Sequence, residues 1–413
     1  MADIRPFCAI RPAKGMEEKI AALPYDVYSS EEAREAAKDR PNSFLYIDRP
    51  EINFEPGHDM YAPEVYQCAH DRLYDMIARG KFIQDKKPYY YIYRLTMAGR
   101  KQTGFVACAS IWDYEAQIIK KHENTRAEKE QDRIRHVTVC DAQTGPIFLA
   151  YRNVDALQKI MDRYTQTTPE YDFVAEDGIG HTGWIVDREE DIAAIREAFA
   201  GINEIYIADG HHRCASAVKV GFDKSGKNPD HNGNEEYNYF MSVLFPEDTL
   251  RIYDYNRVVK DLNGMTPEMF LERLKAVFDI SVCNKMLARP EEKGTFGLYM
   301  EHTWYTLRYR GSRSANPVEG LDVSILQKEC LAPILGIQDP KTDKRIDFVG
   351  GIRGLSELER RVDNGEAAAF ALYPTGIDEL FAVADAGLLM PPKSTWFEPK
   401  LRSGLYIHSI ATE

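Results

Sequence analysis

The chain has 413 residues, and 52 lysines and arginines against 65 aspartates and glutamates leave a formal charge of −13. Phosphate neutralisation dominates nucleic-acid affinity, so this acidic average, with no evident basic reading helix, argues against a nucleic-acid partner. With 44% hydrophobic and 28% charged residues the chain affords a sizeable core and is not disordered; at roughly 100–200 residues per domain, its length indicates two or three domains or one elaborated α/β body.

Cys8, Cys68, Cys108, Cys140, Cys214, Cys283 and Cys330 are scattered singly, with no C-x-x-C. That pattern speaks against a disulfide framework and a cysteine zinc site, and it suits a reducing cytosol. Met1 to Pro6 lacks the form of a signal peptide, and no apolar run approaches the ~18 residues of a membrane span. The expectation is a soluble, cytoplasmic protein with no membrane partner.

In chain order, residues 1–85 mix Pro-rich loops with short helices, and Ser29 with Glu32 signals a capping box for a helix through Ala33 to Lys38. Tyr89 to Leu95, a turn at Ala98-Gly99, and Thr103 to Trp112 predict a hairpin that opens an antiparallel sheet. The charged stretch Lys120 to Arg135 comes next. A helix is predicted from Val154, with Leu157, Met161 and Tyr164 at helical spacing, and another carries Ile192, Ile195 and Phe199 and stops at Gly201. Glu204 to Ala208 predicts a short strand that runs into Asp209-Gly210-His211-His212-Arg213 and a helix from Cys214 to Val220 closed by Gly221. Tyr237 to Phe245 predicts a strand, Thr266-Pro267 opens a helix, and Phe296 to Met300 with Trp304 to Tyr309 predicts a second hairpin. The last third is expected to alternate helix and loop.

Asp209 to Arg213 is the sharpest local feature. A turn at a strand end presents the first N–H groups of the next helix, and the positive end of its dipole, as an anion site. Gly210 permits close backbone approach, Arg213 supplies a donor fork, the two histidines add donors, and Asp209 can orient a histidine or bind a cation. The competing reading is an ordinary capped helix with Arg213 in a surface ion pair. In Lys120-Lys121-His122-Glu123-Asn124-Thr125-Arg126, a carboxylate flanked by cations can stay ionised and serve as general base; spacing alone favours a solvated charged helix there. Lys393-Ser394-Thr395, after two prolines, suits a nucleotide phosphate or a plain connector. Gly350 to Gly354 has neither Rossmann nor Walker spacing and reads as structural, with Ser356 and Glu359 as a capping box for the next helix.

The Asp209–Arg213 motif resembles the phosphate motif of the ParB/sulfiredoxin-like superfamily, and most closely that of its free L-serine kinases. Lys121-His122-Glu123 with Arg126 resembles the kinase segment that bears the catalytic glutamate, and Pro392-Lys393-Ser394-Thr395 resembles its C-terminal Pro-Lys-Thr-Thr segment, in the same chain order. From Arg5-Pro6 to the C-terminus the chain is also similar to a conserved prokaryotic family known as a domain of unknown function. The resemblance implies an α+β fold with a mixed sheet: a ParB/sulfiredoxin-like core at 86–245, an N-terminal accessory region at 1–85, and a C-terminal α/β region at 246–413 that contributes Lys393, Ser394 and Thr395.

It further implies that Glu123 is the base for a serine hydroxyl and that Asp209 and His212 work at the transferred phosphoryl group. Gly210, His211, Arg213, Lys393, Ser394 and Thr395 would hold phosphates, with His122 and Arg126 as additional site residues. The cofactors implied are Mg2+ with ATP or ADP, in either direction between L-serine and O-phosphoserine. His211 stands where sulfiredoxin-like proteins carry their reactive cysteine, and Cys214 falls after the arginine instead, which argues against sulfinic-acid repair. This chain has a much longer insert between Glu123 and Asp209 and an N-terminal region that the kinase lacks, and the kinase motif ends in threonine-arginine-histidine where this chain has Thr395-Trp396-Phe397. Two other readings stay open: a nucleotide-binding or nucleotide-hydrolysing regulatory module, and a metal-dependent hydrolase built from His122, Glu123, Asp209, His211 and His212. The oligomeric state is not set by the sequence.

Overall fold

Aromatic and β-branched residues fill the strands Tyr90–Met97 and Arg100–Ser110, which pair antiparallel with Tyr91 opposite Val106 and Tyr93 opposite Gly104. Their two-residue turn holds Ala98 at φ 49° and Gly99 at φ 80°, the left-handed pair whose twist matches that of the flanking strands. This hairpin lies inside a nine-stranded mixed sheet. Its order is Ile119–Lys120, Ile205–Asp209, Ile147–Tyr151, Tyr239–Pro246, Arg100–Ser110, Tyr90–Met97, Gly180–Val186 and Tyr171–Val174, with Ile4–Arg5 pairing beside Arg100–Ser110. Leu157, Ile160 and Met161 of the helix Asp155–Tyr164, and Ile195 and Phe199 of Glu189–Ala200, pack on Ile92, Phe105, Leu149 and Ile207. Helix-periodic apolar stripes thus cover a sheet whose central strands are buried on both faces.

The computed structural model describes residues 1–411. They divide into two units: residues 1–250 together with the C-terminal segment that begins at Pro399, and Arg251–Glu398. The first unit therefore takes in both the region expected as 1–85 and the core expected as 86–245. The reason is packing: Phe44, Leu45, Ile47, Ala69 and Leu73 share one apolar cluster with Cys140, Ala142 and Ile407. Ser29 caps Ser30–Ala37 in the expected capping box, with Glu32 reaching back to its N–H at 2.8 Å.

The second unit is a six-stranded antiparallel sheet in the order Phe278–Cys283, Thr303–Tyr309, Thr295–Met300, Ala368–Leu372, Tyr255–Val259, Ile346–Gly350. The last third is thus not helix and loop alone: Ile346–Gly350 and Ala368–Leu372 are strands, too short for periodicity to distinguish from loop. The expected hairpin is present at Thr295–Met300 and Thr303–Tyr309, and Thr266 caps Pro267–Leu274 by accepting from the Met269 N–H. The helix Leu355–Asp363 follows Gly354 with no side-chain cap. Ser356 and Glu359 do not form the expected box there; the Ser356 hydroxyl accepts from Lys285 and Glu359 from the Trp304 indole.

Gly221 does not close a helix at Val220. The helix runs from His211 to Lys227, and a Cβ at Gly221 would stand 2.4 Å from the Tyr237 carbonyl oxygen and 2.9 Å from Ile111 Cδ1. Glycine is there for close approach of two backbones. Gly221→Ala should lose about 1–3 kcal/mol of stability through overpacking, read as a lower urea midpoint at unchanged slope; an unchanged midpoint would refute the contact.

His181 lies fully buried on the strand Gly180–Val186, hydrogen-bonded through Nδ1 to the Tyr93 hydroxyl at 2.7 Å. Burial, with Arg402 adding to it, pushes the imidazole down to about 3. The unfolded chain binds the proton below about pH 6.5 and the native state does not, so stability is full above that pH and falls on acidification. This one group removes about 2 kcal/mol between pH 7.5 and 5. His181→Phe should flatten the pH dependence of the urea midpoint over that range; an unaltered slope would sink the assignment. Among the described residues no helix is long and apolar enough to cross a membrane.

Candidate functional site

Ile119–Lys120 and Ile205–Asp209 run parallel, with Ile205 opposite Ile119, so both segments leave the sheet at one end. Ile147–Tyr151 runs antiparallel to Ile205–Asp209 and enters at that same end. Lys121-His122-Glu123, Gly210 to Arg213 and the Gly145-Pro146 turn are therefore neighbours by topology. Carboxyl ends of parallel strands are where open α/β sheets place their ligands. A register shift between Ile207 and Asp209 marks the exit of the strand, the kind of irregularity that re-aims a side chain beside a site.

Gly210 adopts φ 90°, ψ 31°, and no side chain caps the helix that begins after it. Its carbonyl accepts from the Cys214 N–H at 2.9 Å, and its own N–H donates to Asp209 Oδ1 at 2.9 Å. The N–H groups of His211, His212 and Arg213 thus form an open first turn at the positive end of a 17-residue helix. A Cβ at Gly210 would stand 3.1 Å from Arg213 Nε, so conformation and space both call for glycine. Arg213 Nη1 donates to the Pro146 carbonyl at 2.7 Å, and its Nε is buried without a hydrogen-bond partner among the described residues.

The half-buried Asp209 accepts from Lys400 Nζ at 3.0 Å. Burial by itself would raise this carboxyl, but Lys400 and Arg213 together outweigh it and hold it well below the usual carboxylate range. Asp209 is ionised at neutral pH. Lys400 has no signal in the sequence: it lies 191 residues away and reaches Asp209 because the segment from Pro399 returns to the first unit.

His212 Nε2 accepts from the Arg126 backbone N–H at 2.9 Å, which puts the proton of the neutral ring on Nδ1; burial lowers its pKa. His122 and His211 are 1% and 7% exposed, with ring centroids 4.5 Å apart and planes at 89°. Burial pushes His122, which bonds to the Ile207 carbonyl, down to about 4. Burial and the neighbouring His122 hold His211 well below its ordinary value. Both rings are neutral at pH 7. One ring nitrogen from each and a Glu123 carboxylate oxygen lie within 4.8 Å of one another.

The structure thus brings His122, Glu123, Asp209, Gly210, His211, His212 and Arg213 to one end of the first sheet, with the Arg126 backbone held against His212. The helix favoured by spacing forms only from Ala127 onward and is solvated on one face, where Glu128, Gln131 and Arg135 are exposed. Residues 121–126 are non-helical, and Ala127–Cys140 buries Glu130, Asp132, Arg133 and His136. Arg133 pairs with Asp132 at 2.9 Å, Tyr66 donates to Asp132 at 2.9 Å, and Thr125 donates to Glu130 at 2.6 Å. Charges that spacing assigns to solvent are buried because they are paired.

Lys393, Ser394 and Thr395 belong to the second unit. Lys393 is exposed at φ 59°, its ammonium 5.6 Å from the centre of the Tyr255 ring. Ser394 is buried, its hydroxyl donating to the Pro391 carbonyl at 2.6 Å and its carbonyl accepting from Thr375 at 2.9 Å. Thr395 is partly buried. In the glycine-rich turn, Cβ atoms at Gly350 and Gly351 would collide with Trp396 and Asp254, so these glycines serve packing.

Fold and site together define an α+β protein with an anion-type helix terminus beside a histidine and carboxylate cluster. The chain belongs to the family described as "Protein of unknown function (DUF1015)", whose pattern matches residues 4–324. No curated protein matches it. Among solved structures it is similar to a free serine kinase in complex with AMP, at 16% identity and a TM-score of 0.36 over 70% of this chain and 88% of that one. A conserved hypothetical protein from Pyrococcus furiosus aligns at 17% identity and a TM-score of 0.34, over 70% and 92%. SbnI from Staphylococcus aureus, with a C-terminal truncation, aligns at 11% identity and a TM-score of 0.39, over 73% and 86%.

Proposed function

We propose that the chain is a nucleotide-dependent phosphotransferase acting on the hydroxyl of a small free amino acid, between L-serine with ATP or ADP as donor and O-phosphoserine in the reverse direction. One observation carries the reading: two motifs far apart in sequence meet at one sheet end, so that the Glu123 carboxylate stands beside an uncapped helix N-terminus with its arginine fork. Phosphate oxygens fit that terminus, where the first-turn N–H groups, Arg213 and the bare backbone of Gly210 converge.

The nucleotide supplies or accepts the phosphoryl group, and Mg2+ bound with it offsets phosphate charge. Glu123 takes the proton of the acceptor hydroxyl while that oxygen forms its bond to phosphorus and the bridging P–O bond breaks. Asp209, kept ionised by Lys400 and Arg213, and His212, with its proton fixed on Nδ1, position and polarise groups around that centre. Positioning and charge are what phosphoryl transfer demands of a protein. The assignment of Lys393, Ser394 and Thr395 to nucleotide phosphates rests on their motif.

The test is direct. Purified protein with Mg2+, ATP or ADP, and a panel of free amino acids is assayed by mass spectrometry, and L-serine should yield O-phosphoserine. No product from any acceptor, with no nucleotide bound at millimolar concentration, would overturn the proposal. Nucleotide binding without turnover on any acceptor would favour a binding module instead.

A further inference from the structure

The two perpendicular imidazoles beside Glu123 have a chemistry that proton transfer leaves unused. We propose that His122, Glu123 and His211 bind a divalent first-row transition-metal ion, in preference to magnesium. The donor set is two imidazole nitrogens and one carboxylate oxygen within 4.8 Å of one another. Donors around a tetrahedral ion with bonds near 2.1 Å stand about 3.4 Å apart, so closing the cluster on a metal takes side-chain shifts of about 1 Å.

An independent observation points to a ligand. His211 Nε2 is buried with no hydrogen-bond partner among the described residues, on a side chain only 7% exposed. An orphaned buried polar atom keeps its full desolvation penalty, and a metal bond would remove it. His122 bonds to the Ile207 carbonyl, the outer contact that fixes the tautomer and orientation of a ligating histidine. His211 is held by the first turn of a long helix, and His122 lies two residues beyond the strand Ile119–Lys120, buried and bonded to the Ile207 carbonyl. Imidazole suits zinc, copper, iron or nickel, whereas magnesium selects oxygen ligands and water. Three protein donors leave at least one coordination position.

This inference does not rest on the phosphotransfer reading, because binding is measured on full-length protein without nucleotide or acceptor. Chelator-stripped protein is titrated with Co2+ and followed by visible absorption, with Zn2+ calorimetry as a second readout. The expected result is about one equivalent bound per chain, with ligand-field bands in the visible. Binding should survive millimolar Mg2+ and weaken about tenfold or more in Glu123→Gln and in His211→Gln. Thermal melting without metal checks that both variants keep the fold, Glu123 being only partly buried. Absence of saturable binding, equal competition by Mg2+, or full affinity in both variants would each overturn the site. The last outcome would place the metal elsewhere, for example at His408 with Glu236, which pair at 2.7 Å.

Discussion

Glu123→Gln should lower O-phosphoserine formation by about 10²–10⁴-fold, the range for losing a positioned general base, while nucleotide affinity changes little. Glutamine keeps the shape of the side chain and its hydrogen-bonding reach, but it cannot take the acceptor's proton. Equal losses in turnover and nucleotide affinity would mean that Glu123 holds the nucleotide and is not the base. Because Glu123 is also a proposed metal ligand, a second variant separates the roles. His211→Gln removes a metal ligand and leaves the Glu123 carboxylate in place. If the two variants lose turnover equally, the carboxylate acts through the metal; if only Glu123→Gln does, it acts on the proton.

The second large effect is expected at Arg213. Hydrogen bonds between charged partners contribute about 1.5–3 kcal/mol each, so Arg213→Ala should raise the Kd for ATP or ADP by about 10- to 100-fold in calorimetry. The same change removes one of the two cations that hold Asp209 ionised, which would then titrate closer to the usual carboxylate range. Arg213→Lys, which keeps the charge and loses the fork, should fall between the two. Arg213 also donates to the Pro146 carbonyl at the start of Ile147–Tyr151, so melting temperatures are needed to separate lost binding from lost structure. An unchanged Kd in a folded Arg213→Ala protein would remove the helix terminus from the nucleotide site.

Most of the local structure was legible in the sequence, because short-range physics writes it there. The Ala98-Gly99 hairpin, the Ser29 and Thr266 caps, the amphipathic helix from Val154 and the strand, turn and helix around Gly210 depend on residues within a few positions of each other. Errors came where a residue answers to a distant neighbour. Gly221 reads as a stop signal along the chain, yet it serves contact with Tyr237. Ser356 and Glu359 have capping-box spacing, yet Lys285 and Trp304 take them. The charged stretch after Ala127 reads as a solvated face, yet Asp132, Arg133 and Glu130 are buried in paired sets.

The site divides along the same line. By itself the sequence determined that Asp209 to Arg213 opens a helix at a strand end, since an apolar strand, a glycine turn and a helical stretch require only local terms. It also supplied the residue types that phosphate and proton chemistry use. Only the tertiary structure decided that Glu123 meets His211, that the two buried histidines stand perpendicular, and that Lys400 neutralises Asp209. Those contacts depend on Ile119–Lys120 pairing parallel with Ile205–Asp209 and on the chain's return at Pro399. Strand order and chain return are set by burial summed over the whole core, and spacing along the sequence does not record them.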